Sequence, residues 1–166
     1  MRRLRILAGA LALALPLSAC GLQPMYSGGG KGAVAQGLAA IEVPAIEGQS
    51  GWLVRNALVD RLGAGGTAAP LYRLDVRLDD KLEGLGLLSD DTVTRERRTL
   101  RARYQLVEIA TGKILLDATA GSDAGIDVVS SEYAVIAGEQ TALENLSREV
   151  ADQIVSRVSV RLRDAK

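Results

Sequence analysis

Leu143, Leu146, Val150, Ile154, Val158 and Leu162 step along the end of the chain by 3, 4, 4, 4 and 4 residues. At about 3.6 residues per turn, this spacing keeps all six on one side of a helix. Ala151 and Val155 widen the stripe, while Glu144, Arg148, Glu149, Asp152 and Arg157 fall on the polar side. The pattern predicts a helix from about Ser131 to Arg163, with Gly138 able to bend its early part. So long an apolar stripe requires an equally long apolar surface to cover it.

The middle of the chain offers that surface. Tyr72, Leu74, Val76 and Leu78 alternate with Arg73, Asp75 and Arg77, the period-two signature of a half-buried strand over Leu71 to Leu78. Thr92 to Glu108 reads as a longer strand, with Leu100, Ala102, Tyr104 and Leu106 on one face. Ala110-Thr111-Gly112-Lys113 reads as a turn, and Ile114 to about Ala120 as the returning strand of a hairpin. The stretch from Gly121 to Val129 carries no clear pattern. Earlier, Leu38 to Val43 reads as a short strand stopped by Pro44. Gly51 to Leu62 reads as a helix capped by Ser50 and ended by Gly63. The expected fold class is α+β. It is a two-layer sandwich with about four mostly antiparallel strands, two helices on one face and the other face open.

The N-terminus reads as an export signal. Arg2, Arg3 and Arg5 precede an apolar run, Ile6 to Leu17, of about a dozen residues, too short to span a bilayer, which takes roughly 20. Leu17-Ser18-Ala19-Cys20 reads as a lipobox containing the sole cysteine. Cleavage before Cys20 and lipidation of its thiol and amine would anchor the chain stably, since two or more acyl chains suffice. Lipidation also accounts for an otherwise unpaired thiol in an exported protein. Residues 1–19 are therefore assigned to a lipoprotein signal peptide, 20–37 to a lipidated Gly-rich tether and 38–166 to one α/β domain. Glycine at position 21, where aspartate usually marks inner-membrane retention, favours the outer membrane, with the domain on its periplasmic face.

Composition narrows the chemistry. Removing the three N-terminal arginines leaves 17 basic against 20 acidic residues, a net charge of −3, so global charge gives no reason to expect nucleic acid. There is no histidine and no second cysteine, which leaves no His/Cys metal site and no Ser-His-Asp or Cys-His nucleophile. No pair of carboxylates stands out for acid–base work, so no enzyme, cofactor or metal is expected. The glycine runs Gly28-Gly29-Gly30 and Gly63 to Gly66 lack the spacing and the lysine of a phosphate loop and read as linkers.

Two constellations remain. By strand parity, Arg73, Arg77, Arg95, Arg97, Arg101 and Arg103 share the polar face with Asp75 and Asp79, six cations against two acids, a local charge near +4. Such a face suits a phosphate- or carboxylate-bearing partner, and equally a solvated exterior. Arg98 falls on the core parity, which marks a bulge or the uncovered end of the sheet. The segment Asp79 to Asp91 holds Leu82, Leu85, Leu87 and Leu88 among glycines where a polar hairpin tip is expected. These leucines either contact a protein or acyl chains or tuck beneath the neighbouring helix.

The start of the predicted mature chain, Cys20-Gly21-Leu22-Gln23-Pro24-Met25-Tyr26, resembles that of the lipopolysaccharide-assembly lipoprotein family LptE, also called RlpB, which commonly begins Cys-Gly-Phe-x-Pro-Leu-Tyr. Leu22 and Met25 depart from that pattern. The Tyr72-x-Leu74-x-Val76 strand, the arginine-bearing strand ending Tyr104-x-Leu106, the Thr111-Gly112 turn and the terminal helix with Ala142, Leu146, Ile154 and Arg157 follow in the family's order. The resemblance implies an outer-membrane lipoprotein that sits as a plug in the β-barrel LptD and assists insertion of lipopolysaccharide, with both as partners. It does not assign the lipid-binding residues; the arginine cluster is a candidate from parity alone. A lipoprotein binding cell-wall glycan or a cell-wall synthase is the alternative, disfavoured by an aromatic content of 3%.

Overall fold

The computed structural model describes residues 32–63, 69–87 and 93–164. Cys20, the signal segment and Leu88 lie outside the described residues. The elements run α1 (Ala33–Ala39), β1 (Ile41–Glu42), α2 (Gly48–Leu62), β2 (Tyr72–Leu87), β3 (Val93–Glu108), β4 (Ile114–Asp127) and α3 (Glu132–Asp164). The sheet order is β1-β2-β3-β4. β1 pairs parallel with the first residues of β2, and the remaining neighbours are antiparallel.

The two long helices cover one face of the sheet, as the patterns require. Leu74, Leu100, Tyr104 and Leu106 from the sheet form one cluster with Val54 and Leu58 of α2 and Val150, Ile154 and Val158 of α3. α3 is continuous through Gly138. α2 begins at Gly48 after Glu47, so Ser50 lies inside its first turn and caps nothing. It ends at Gly63, whose left-handed backbone (φ 66°) lets its N–H reach the Val59 carbonyl. Gly112 (φ 70°) makes the β3–β4 turn, donating to the Glu108 carbonyl at 2.8 Å.

Four expectations change. Residues assigned to the tether and to the first strand form α1; its Leu38 is buried in the core, and only Ile41–Glu42 is strand. Pro44, lacking an N–H, ends that strand early. β2 continues to Leu87, and β4 to Asp127 through the stretch that had no pattern. Leu82, Leu85 and Leu87 therefore belong to a long β2–β3 hairpin and not to a loop. Leu82 remains 43% exposed, so no helix covers it.

Tyr104 is 1% exposed, and among the described residues its hydroxyl makes no hydrogen bond of good geometry, with only the Arg157 guanidinium nearby. Burial raises the pKa of that phenol, opposed by the nearby Arg157 cation. Because a buried unpaired hydroxyl costs stability, Tyr104→Phe should be neutral or stabilising, by up to about 1 kcal/mol. A fall in the urea midpoint would show that the hydroxyl contributes a bond.

Candidate functional site

The open face of the sheet is built by parity. Its rows are Arg73 with Val107, Asp75 with Gln105 and Asp117, Arg77 with Arg103 and Thr119, and Asp79 with Arg101 and Gly121. Further along lie Lys81, Thr99 and Asp123, then Glu83, Arg97 and Gly125, then Leu85, Arg95 and Asp127. All six arginines named from the sequence thus share one face. The full β4 strand adds Asp117, Asp123 and Asp127, and β2 adds Lys81 and Glu83. Seven cations against six acids leave a net charge of +1, well below the +4 read from the shorter strands.

Four of the six arginines are engaged. Arg73 pairs with Asp75 at 2.9 Å and Arg103 with Asp117 at 3.1 Å. Arg101 and Arg95 reach Asp123 and Asp127 at 3.7 and 3.6 Å. Arg103 and Gln105 together hold the Asp117 carboxyl below its ordinary pKa. Glycines on β4 make room for two of these guanidiniums. A Cβ at Gly121 would collide with Arg101 Cδ, and one at Gly125 would lie 3.0 Å from Arg95 Nη2. Arg101 uses that space to donate to the Ser122 carbonyl at 3.0 Å.

Arg77 and Arg97 have no carboxylate partner among the described residues. Arg77 stands directly opposite Arg103 in the ladder, a like-charge pair that is unfavourable until an anion sits over it. The two border a groove of about 640 Å³ whose lining mixes Asp79, Arg101 and Thr119 of the open face, Leu78, Ala102 and Ala120 of the covered face, and Gln153 and Arg157 of α3. Arg157 reaches the groove from α3, donating to the Thr119 carbonyl at 2.9 Å. On the helical wheel it is one more polar-side charge; only the position of α3 at the β4 edge brings it here. Leu85 lies half-buried on the same sheet face, opposite Arg95.

Arg98 lies at neither a bulge nor an uncovered end of the sheet: the register is regular there and α3 reaches it. Its guanidinium takes both oxygens of Asp80, at 2.9 and 2.8 Å, and reaches the Glu139 carbonyl of α3 at 3.4 Å.

Among the described residues there is no group of three or more His, Cys, Asp or Glu side chains able to hold a metal. No described helix is long and apolar enough to cross a membrane. The arrangement presents guanidinium donors with aliphatic groups beside them.

The family model for lipopolysaccharide assembly, LptE, matches residues 38–158, most of the chain. The chain belongs to the LptE family. Its role is accordingly in lipopolysaccharide assembly, as an envelope lipoprotein. Solved structures share the fold. A lipoprotein from Caulobacter crescentus is 24% identical, with a TM-score of 0.69 over 81% of this chain and 98% of its own. A minor lipoprotein from Acinetobacter baumannii is 18% identical (TM-score 0.55; 72% of this chain, 88% of its own). The rare lipoprotein B of Shewanella oneidensis is 14% identical (TM-score 0.52; 76% and 97%). No curated protein matches the chain.

Proposed function

We propose that this chain is an outer-membrane lipoprotein, lipidated on Cys20 and facing the periplasm, that complexes with the β-barrel LptD as a plug. In this reading it is non-enzymatic and works by binding. The open sheet face takes lipopolysaccharide headgroup phosphates on its arginines, while Leu85, Leu87 and Leu88 at the hairpin end serve acyl chains or the barrel partner. The observation that carries the lipid site is the cross-strand pair Arg77 and Arg103 on the open sheet face. Two cations held opposite one another, one of them without a carboxylate, lower their mutual repulsion when a phosphate bridges them. Engaged arginines such as Arg95 and Arg101, whose carboxylates stand beyond 3.5 Å, can turn to the same ligand at small cost.

Two experiments test the reading. Changing Arg95, Arg97, Arg101 and Arg103 together to glutamate should weaken lipopolysaccharide binding by more than about tenfold, each lost charge-assisted contact counting for a substantial factor. Unchanged binding with an unchanged circular dichroism spectrum would remove the face from the proposal. Affinity purification of the full-length lipoprotein from detergent-solubilised outer membrane should recover a large β-barrel in near-equal amount. Recovery of cell-wall enzymes instead would overturn the plug assignment.

A further inference from the structure

The sheet has two edges, and they are treated differently. At β4, side chains of α3 satisfy the outward backbone. The Gln153 amide bonds both the N–H and the C=O of Gly121 at 3.2 Å, Arg157 takes the Thr119 carbonyl and Arg161 takes the Leu115 carbonyl at 2.7 Å. An edge capped in this way does not accept another strand.

Among the described residues no side chain bonds the outward backbone of β2, although Pro44, Ala45 and Ile46 border a groove beside Leu74 to Arg77. Tyr72 turns its N–H outward to the Ala40 carbonyl of the chain leading into β1, while Leu71 turns its carbonyl inward to Ile109. The unbroken register with β3 then makes the even-numbered residues of β2 present N–H and C=O to the edge. β1 lies opposite Tyr72 and Arg73 only, and among the described residues no strand lies beside β2 beyond them. The free edge runs from Asp75 to about Leu85 and centres on Asp80. It has no proline and no bulge, two usual protections of an edge strand.

Its charges alternate strictly: Arg73, Asp75, Arg77, Asp79, Lys81 and Glu83 occupy successive positions on the open face. We propose that this edge pairs antiparallel with the β2 edge of a second copy of the chain, centred on Asp80, making one continuous sheet across a two-fold axis. In that register Arg77 faces Glu83 of the second copy and Asp79 faces Lys81, each twice. The odd-numbered residues fall in the non-hydrogen-bonded pairs, where side chains approach most closely. On the covered face Leu78 meets Leu82, which removes that exposed leucine from water. Asp80 meets its own copy, but each carboxylate already carries the Arg98 guanidinium. Sliding the register by two residues sets Arg77 against Lys81 and Asp79 against itself, so the alternation selects against that slip. The inference does not rest on the lipopolysaccharide reading and competes with it for Arg77, which pairs either with Glu83 of a second copy or with a phosphate.

Sedimentation equilibrium of the purified full chain, in non-ionic detergent with reductant, tests it. The expected result is a reversible dimer that Arg77→Glu weakens by about tenfold, and that the exchange Arg77→Glu with Glu83→Arg restores. A monomer at every concentration, a dimer indifferent to Arg77→Glu, or a double exchange that fails to restore association would each overturn the proposal. The first of these outcomes would leave the edge to an extended segment of a different protein.

Discussion

Replacing Asp80 with alanine lowers the free energy of unfolding by about 2–3 kcal/mol, because it leaves a guanidinium mostly covered and uncompensated. Arg98 and Asp80 side chains retain only 16% and 20% of their exposure, and the pair is bidentate. The Asp80 hydrogen bonds raise the Arg98 pKa against the opposing effect of burial, and without Asp80 the guanidinium still keeps its charge, because arginine does not deprotonate in proteins. What remains is one contact to the Glu139 carbonyl at 3.4 Å. The cost is set below that of a fully buried pair because both groups keep some access to water. Joint replacement, Asp80→Leu with Arg98→Met, should return stability to near the parent value, since the attraction within such a pair largely offsets its own desolvation. Urea unfolding of the two variants checks both statements, and a double variant as weak as Asp80→Ala would show that the pair contributes net stability. Hydrogen exchange adds a local readout. Loss of Asp80 should raise exchange in the first turns of α3, which Arg98 ties to the far end of the sheet.

The period-two and period-3.6 patterns made the layers legible: both long helices, the hairpin and the buried faces of β2 and β3 stand where the alternation puts them. Strand lengths were less legible, for a physical reason. Beyond Asp79, β2 passes through Gly84 and Gly86, and β4 passes Gly121 and Gly125; glycine weakens a strand pattern by removing side chains. At Gly121 and Gly125 the missing side chain is what admits Arg101 and Arg95, a cross-strand fact that spacing along one strand does not contain. Truncating β4 at Ala120 also hid Asp123 and Asp127, which is why the arginine face looked more basic than it is. Arg157 and the Arg98–Asp80 pair belong to the same class, residues whose partners come from other elements. Leu38 hid its role differently: seven residues of α1 are too few for a helical period to stand out, yet they pack beneath the end of α3. A Cβ on Gly37 there would come within 3.3 Å of Leu162 Cδ1.

Truncating Ile154 to alanine is expected to cost about 2–5 kcal/mol, the range for removing a large aliphatic group from a packed core. Ile154 is fully buried at the middle of the α3 stripe, within the cluster that joins both long helices to the sheet. A well-packed interior relaxes only partly around a lost side chain, so the contacts are forfeited and not redistributed. Val160 on the same helix is 37% exposed, and Val160→Ala should change stability by less than about 0.5 kcal/mol. The comparison of the two variants separates burial from helix propensity, which rises in both. Ile154 also follows Gln153, whose amide closes the β4 edge at Gly121. Loosening α3 at this point should therefore raise amide exchange at Gly121 more than at Leu74 on the other side of the sheet. A loss below about 1 kcal/mol for Ile154→Ala, or exchange rising equally at both sites, would mean that the stripe is not what holds α3 against the sheet and its edge.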